Sequence, residues 1–141
     1  MKRISPKEAK ALQDEGWTYL DVRSEGEFEK AHPAGAINIP LLHAAAAGMS
    51  PNPDFMRVVE TVLSKEAKIV VGCLSGGRSL RAAQMLEAAG YQNVVDQRAG
   101  FGGAKDPMGK VTEPGWAAEN LPVETGRPPQ RSYSDLSKRG K

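Results

Sequence analysis

Cysteine is almost absent from this chain: Cys73 is the one thiol among 141 residues. Without a second thiol no internal disulfide forms, which fits a reducing, cytoplasmic setting and leaves a free sulfur to be explained. Histidine is nearly as scarce. His32 and His43 have no Cys or His neighbours at zinc spacing, so neither a metal nor another cofactor is expected. Aromatic residues make up 6% of the chain and no basic stripe accompanies them, which argues against a base-stacking surface for nucleic acid. Long apolar runs are missing too: no stretch of about 18 such residues offers a membrane span. The charged start Met1–Pro6 lacks the apolar segment of a secretory signal. No internal repeat occurs, and the length suits one domain.

Net charge is small but unevenly placed. The formal total of +2 divides at Glu124. Residues 125–141 hold Arg127, Arg131, Lys138, Arg139 and Lys141 against Asp135 alone, and read as a basic, flexible tail docked at most through Tyr133 and Leu136. Residues 1–124, the expected folded domain, hold 14 cations and 16 anions. A mildly acidic body argues against a nucleic-acid partner bound to a basic face. For the tail, weak attraction to an acidic partner is the sharper alternative to a merely solubilising role.

Strand and helix signals alternate along the chain. Ser5-Pro6-Lys7-Glu8 is a capping box with proline at the first helical position, opening a helix to Glu15 that Gly16 ends. Trp17–Val22, Ala36–Ile39, Lys68–Gly72 and Asn93–Asp96 read as strands from their aromatic and β-branched content. Lys68–Gly72 is almost wholly apolar, as a strand covered on both faces of a parallel sheet would be. The spacing of Phe55, Val58, Val59, Val62 and Leu63 predicts a helix after Asn52-Pro53, and a further helix runs to Ala89. Ala44–Ala47 reads as a helical turn, Glu25–Glu29 as a solvated turn, and the glycine- and proline-rich Ala99–Gly115 as loop. The alternation implies an α/β domain with a mainly parallel sheet.

Cys73 follows the most apolar strand and precedes a helix, the position at which open α/β sheets bind ligands. Gly76 and Gly77 let the backbone turn tightly enough for several N–H groups to converge on one anion, and the helix beginning near Arg78 adds its positive end. Such a nest stabilises a thiolate or an anionic sulfur adduct. A free cysteine at a strand end is otherwise a small buried hydrophobe. Packing alone, however, has no use for Ser75-Gly76-Gly77-Arg78-Ser79 after it.

At this loop the sequence resembles the rhodanese family of sulfurtransferases. The likeness also takes in Asp21-Val22-Arg23, Glu27-Phe28, His32 and Gly35–Pro40 upstream, with Gly90–Val94 and Gly100–Gly103 downstream. It runs from Ile4 to Glu124 and does not cover the tail. It implies a three-layer fold whose central, mainly parallel sheet of about five strands is flanked by helices. It also implies chemistry: Cys73 attacks the outer sulfur of a small donor such as thiosulfate or a persulfide, holds it as a persulfide, and passes it to cyanide or a thiol, with no cofactor. Leu74, Ser75, Gly76, Gly77, Arg78 and Ser79 would form the anion-binding loop. Asp21, Arg23, Glu27 and His32 would support the site structurally, and Phe101 and Trp116 are the pocket candidates. A sulfur-relay protein is a further implied partner, and with no second cysteine in the chain the acceptor comes from outside.

Three other readings use the same residues. The dual-specificity cell-cycle phosphatases, a related branch of this fold, cradle phosphate in a cysteine loop one residue longer. The five-position spacing from Cys73 to Arg78 is the shorter one and weighs against phosphatase or arsenate reductase activity. Gly72–Ser79 comes within one residue of the P-loop pattern but has arginine where that pattern needs lysine. A sulfur carrier or regulatory module that never turns over would carry the same loop. Two departures from the family pattern bear on substrate. Leu74 is uncharged, so dianionic thiosulfate is attracted less than by a loop richer in cations, and a protein persulfide or organic thiosulfonate is the alternative donor. Trp116 comes thirteen residues after Gly103, later than the family's usual tryptophan, and the intervening Ala104–Gly115 is expected to fold over the pocket.

Overall fold

The structure, a computed structural model, describes residues 1–140. In chain order the first half contains β1 (Lys2–Ile4), α1 (Pro6–Asp14), β2 (Thr18–Asp21), α2 (Glu25–Lys30), β3 (His32–Pro33), β4 (Ile37–Asn38), β5 (Leu42–Ala45), β6 (Gly48–Pro51) and α3 (Phe55–Val62). The second half adds β7 (Lys68–Gly72), α4 (Gly77–Ala88), β8 (Asn93–Gln97), β9 (Ala104–Lys105), β10 (Val111–Glu113), β11 (Val123–Glu124) and α5 (Tyr133–Leu136).

Five strands form the central sheet in the order β1-β8-β7-β2-β4, every neighbouring pair parallel. Successive side chains of a strand point to opposite faces, and the core divides accordingly. Leu20, Val22, Ile69 and Val71 pack with Phe55, Val58 and Val59 of α3, Ala82, Ala83 and Leu86 of α4, and Tyr133 and Leu136 of α5. Tyr19 and Val70 face the other way, onto Ala9 of α1, Phe28 of α2, and Trp116. The expected three-layer α/β arrangement is therefore present, with helices on both faces of the sheet.

Several local expectations are corrected. Ala44–Ala47 is not a helical turn: Leu42 pairs with Pro51 and Ala45 with Gly48 in the β5–β6 hairpin, closed with Gly48 at φ +112°. Four alanines are too few to nucleate a helix without a packed face. Glu25–Glu29 is not a solvated turn but most of helix α2. The Ser24 hydroxyl accepts the Glu27 N–H at 3.3 Å, and the Glu27 carboxylate accepts the Ser24 N–H at 3.1 Å, a second capping box. The span Ala99–Gly115 contains the β9–β10 hairpin, and β1, too short to leave a sequence signal, forms the sheet edge against β8.

Residues 125–140 lie against the body, and through more than Tyr133 and Leu136. Asn38 donates its N–H to the Arg131 carbonyl at 2.9 Å, and Gly126 donates its N–H to the Glu29 carbonyl at 2.7 Å. Two of the segment's cations are taken up by the acidic body, Arg127 by Glu29 at 3.2 Å and Arg131 by Glu124. Charge complementarity and the apolar face of α5 together account for docking that a polar composition did not suggest.

Candidate active site

β7 lies in the middle of the sheet, between β2 and β8, so the chain leaving its carboxyl end emerges at the crevice of the fold. Gly72 ends the strand, where a Cβ would lie 2.0 Å from the Tyr19 hydroxyl oxygen, so no larger residue fits. Cys73 follows, only 2% exposed. Its Sγ accepts the Gly76 N–H at 3.1 Å and lies 3.4 Å from Ser79 Oγ, whose hydroxyl in turn donates to the Gly76 carbonyl at 3.2 Å. Gly76 caps α4 in the left-handed conformation, φ +102°, with the Arg98 carbonyl 2.3 Å from where a Cβ would stand. The sulfur thus sits at the positive end of a 12-residue helix.

The turn after β8 holds the loop from behind. Phe101 donates its N–H to the Cys73 carbonyl at 2.7 Å, and Gly102 donates to the Leu74 carbonyl at 2.9 Å. Gln97 shapes this turn: its Oε1 accepts the Ala99 and Gly100 amides at 2.9 and 2.8 Å, and its Nε2 donates to the Gly100 carbonyl at 2.9 Å. At Gly100, φ +68°, a Cβ would meet the Leu74 carbonyl oxygen at 2.4 Å. Gln97 is fully buried, and one glutamine at a strand end carries no spacing signal by which the sequence reveals it.

Asp21, Arg23 and Glu27, expected to support the site, enter two separate ion pairs. Arg23 and Asp21 are buried together, with Nη2 donating at 2.8 Å and Nε at 3.0 Å, and the guanidinium also donates to the Ala31 carbonyl at 2.7 Å. Its Cζ lies 4.6 Å from the Phe101 ring centroid, so Arg23 and Phe101 form one wall beside the loop. Glu27 instead holds Arg78 bidentately, at 2.7 and 3.0 Å. Burial pushes the Glu27 carboxyl up, but the hydrogen bonds from Arg78 and the Ser24 amide and the Arg78 charge outweigh it, holding the pKa at about 2. A third pair, Arg3 Nε to Asp96 Oδ2 at 2.7 Å, abuts the loop, with Arg3 Nη2 3.4 Å from the Gly76 carbonyl. Burial raises the Asp96 carboxyl above the ordinary range, opposed by Ser79 and Arg3, and its second oxygen has no partner. Arg3, Arg23 and Arg78, on and around the loop, are therefore each matched by a carboxylate.

Leu74 and Ser75 are exposed at the loop surface, as is Gly77. His32 makes none of the loop's hydrogen bonds: it stacks on Phe28 at 3.6 Å, with Nδ1 2.6 Å from the Phe28 carbonyl and Nε2 3.0 Å from Glu124 Oε1, so it ties α2 to β11. Trp116, a pocket candidate from sequence, is fully buried. It meets Tyr19 edge to face at 5.4 Å and donates Nε1–H to the Pro122 carbonyl at 2.8 Å, which makes it core. Among the described residues no group of three His, Cys, Asp or Glu side chains could hold a metal ion, and no helix is long and apolar enough to cross a membrane.

A buried cysteine cradled at a helix N-terminus, just past the carboxyl end of the central strand of a doubly covered parallel sheet, defines a class: α/β proteins with a cysteine-centred anion loop. Within it, the chain belongs to the rhodanese-like domain family, whose model matches residues 5–106. It is 41% identical over 109 residues to thiosulfate sulfurtransferase 16, chloroplastic, of Arabidopsis thaliana, spanning 77% of this chain and 81% of that protein. With the senescence-associated protein DIN1 of Raphanus sativus it shares 37% identity over 82% of its length, but only 57% of the relative's. The fold is likewise that of Rv0390 from M. tuberculosis, TM-score 0.74 at 24% identity, covering 89% of this chain and 98% of that one.

Proposed function

We propose that this protein moves sulfane sulfur from a donor to a thiol or cyanide acceptor through a persulfide on Cys73. The observation that carries the reading is the Gly76 amide on Sγ at the head of α4. Preorganised N–H donors stabilise the anionic sulfur before and after transfer, with no general base required. In the first step the Cys73 thiolate forms an S–S bond to the donor's outer sulfur. The donor's own bond to that sulfur breaks, and its electron pair leaves with sulfite, a sulfinate or a thiolate. The acceptor then reverses the roles. Two relatives named thiosulfate sulfurtransferase support the class of reaction.

The phosphatase reading loses support because the guanidinium of Arg78, which would have to grip phosphate, is already held by Glu27. A carrier that loads sulfur without turning over is the second reading, favoured by the near-complete burial of Cys73. A sulfurtransferase assay with thiosulfate, a thiosulfonate and glutathione persulfide as donors, wild type beside Cys73→Ser, separates the two. Multiple turnover in the wild type alone is the expected result; one equivalent loaded and never released would favour the carrier.

A further inference from the structure

Three large apolar side chains are left in solvent on the cysteine loop and the β9–β10 hairpin: Leu74, 37% exposed, on the loop, Val111, 48%, on β10, and Met108, 91%, in the turn between β9 and β10. Gly102 and Gly103 connect the first two. A Cβ on Gly102 would lie 2.9 Å from Leu74 Cδ1, and one on Gly103 3.2 Å from Val111 Cγ1. Two consecutive glycines therefore let Leu74 of the loop and Val111 of the hairpin both close on the turn that leads into β9. Lys105 stands opposite Val111 in the hairpin register, and opposite residues of an antiparallel pair share a face. Exposed apolar groups gathered in this way mark an interaction surface.

The charges around this surface identify what it fits. Arg23, Arg78 and Arg3 beside the sulfur are each paired. Lys105 and Lys110 have no carboxylate within ion-pair distance among the described residues. Asp106 between them is occupied by the Met108 and Lys110 amides at 2.9 Å, and Glu113 by Arg98. Unmatched positive charge thus lies on an apolar finger at the rim and not at the thiol. A small dianion would need that charge at the sulfur. A body large enough to touch hairpin and loop together does not.

We propose that the β9–β10 hairpin and Leu74 seat an acidic protein whose cysteine takes the sulfur from Cys73. The proposal rests on the persulfide reading above. The partner's thiolate attacks the outer sulfur of the Cys73 persulfide and a new S–S bond forms on the partner. The bond to Cys73 Sγ breaks with its electron pair remaining on Cys73, and the proton stays on the outer sulfur. The partner leaves as a persulfide and Cys73 as a thiolate, with no oxidant or reductant consumed. Apolar residues flanking the partner's cysteine cover Leu74, Met108 and Val111, while its carboxylates meet Lys105 and Lys110, which steers encounter more than it holds the complex.

The test uses the full-length protein, loaded with sulfur, and two synthetic peptides. Each carries one cysteine among leucines; one is flanked by aspartates and the other by lysines. Sulfur gained by the peptide is read by mass, with cyanide as the control acceptor. The acidic peptide is expected to accept sulfur about tenfold faster than the basic one. That preference should collapse in Lys105→Glu/Lys110→Glu and in 1 M salt, where the Debye length is about 3 Å, while transfer to cyanide stays unchanged in the variant. Equal peptide rates, or a preference untouched by the double substitution, would overturn the docking surface while leaving the transfer reading intact. Cyanide failing to take sulfur even from the wild type would overturn that reading, and the docking surface with it.

Discussion

Glu27 does two jobs with one carboxylate. It closes the capping box of α2 through Ser24 and holds the loop arginine Arg78 from across the site. The family likeness groups it with Asp21 and Arg23 as structural support and carries no sign that its partner is Arg78. Those two form a closed pair of their own, both buried. Replacing Asp21 with Asn leaves the Arg23 guanidinium buried without a counter-charge. The expected loss is about 3–5 kcal/mol, measurable as a lower urea midpoint at unchanged slope; a loss below 1 kcal/mol would mean that water reaches the guanidinium. Gly100→Ala tests the turn behind the loop. Its positive φ and the crowding carbonyls of Leu74 and Cys73 predict slower sulfur loading, with far-UV circular dichroism retained.

At the scale of elements, legibility followed the length of the local signal. β7 and α4, long and strongly patterned, lie where the sequence put them, and so does α1 with its capping box. The same Ser-x-x-Glu pattern recurs at Ser24–Glu27, yet alternating glutamates around Gly26 hid it. The two short strands of the β5–β6 hairpin and the three residues of β1 depend on partners remote in sequence or on a single glycine turn, and carry little signal of their own. α5 was hidden by composition: its four residues lie in a basic, proline-containing segment, but Tyr133 and Leu136 share one face. Leu136 is fully buried, so Leu136→Ala should cost about 2–5 kcal/mol. Thermal unfolding that is unchanged by this substitution would show that α5 adds nothing to the body's stability.

At the scale of the whole molecule, the arginines around the site and Arg127 and Arg131 of the C-terminal segment are each held by a carboxylate, and such pairs set the response to acid. Glu27 and Glu124 both have pKa values lowered from 4.5 to about 2, Glu124 chiefly by its hydrogen bond from Arg131. In the unfolded chain these carboxyls bind protons first, so the stability they contribute is complete above about pH 4.5 and is lost as pH falls toward 2. Asp96, with its carboxyl raised by burial, works in the opposite sense, its contribution being lost as pH rises through its folded value. The wild type should lose urea resistance steeply over the acid window. Glu27→Gln/Glu124→Gln should start lower and fall less steeply; parallel slopes would refute the assignment. The proposed sulfur transfer rests on the same arrangement at neutral pH: a neutralised site in which amides and a helix end would stabilise a sulfur anion on Cys73. Intact mass after incubation with thiosulfate or a thiosulfonate tests it most directly. A gain of one sulfur on the wild type, removed by cyanide and absent from Cys73→Ser, is expected; an unmodified wild-type mass with every donor would contradict it.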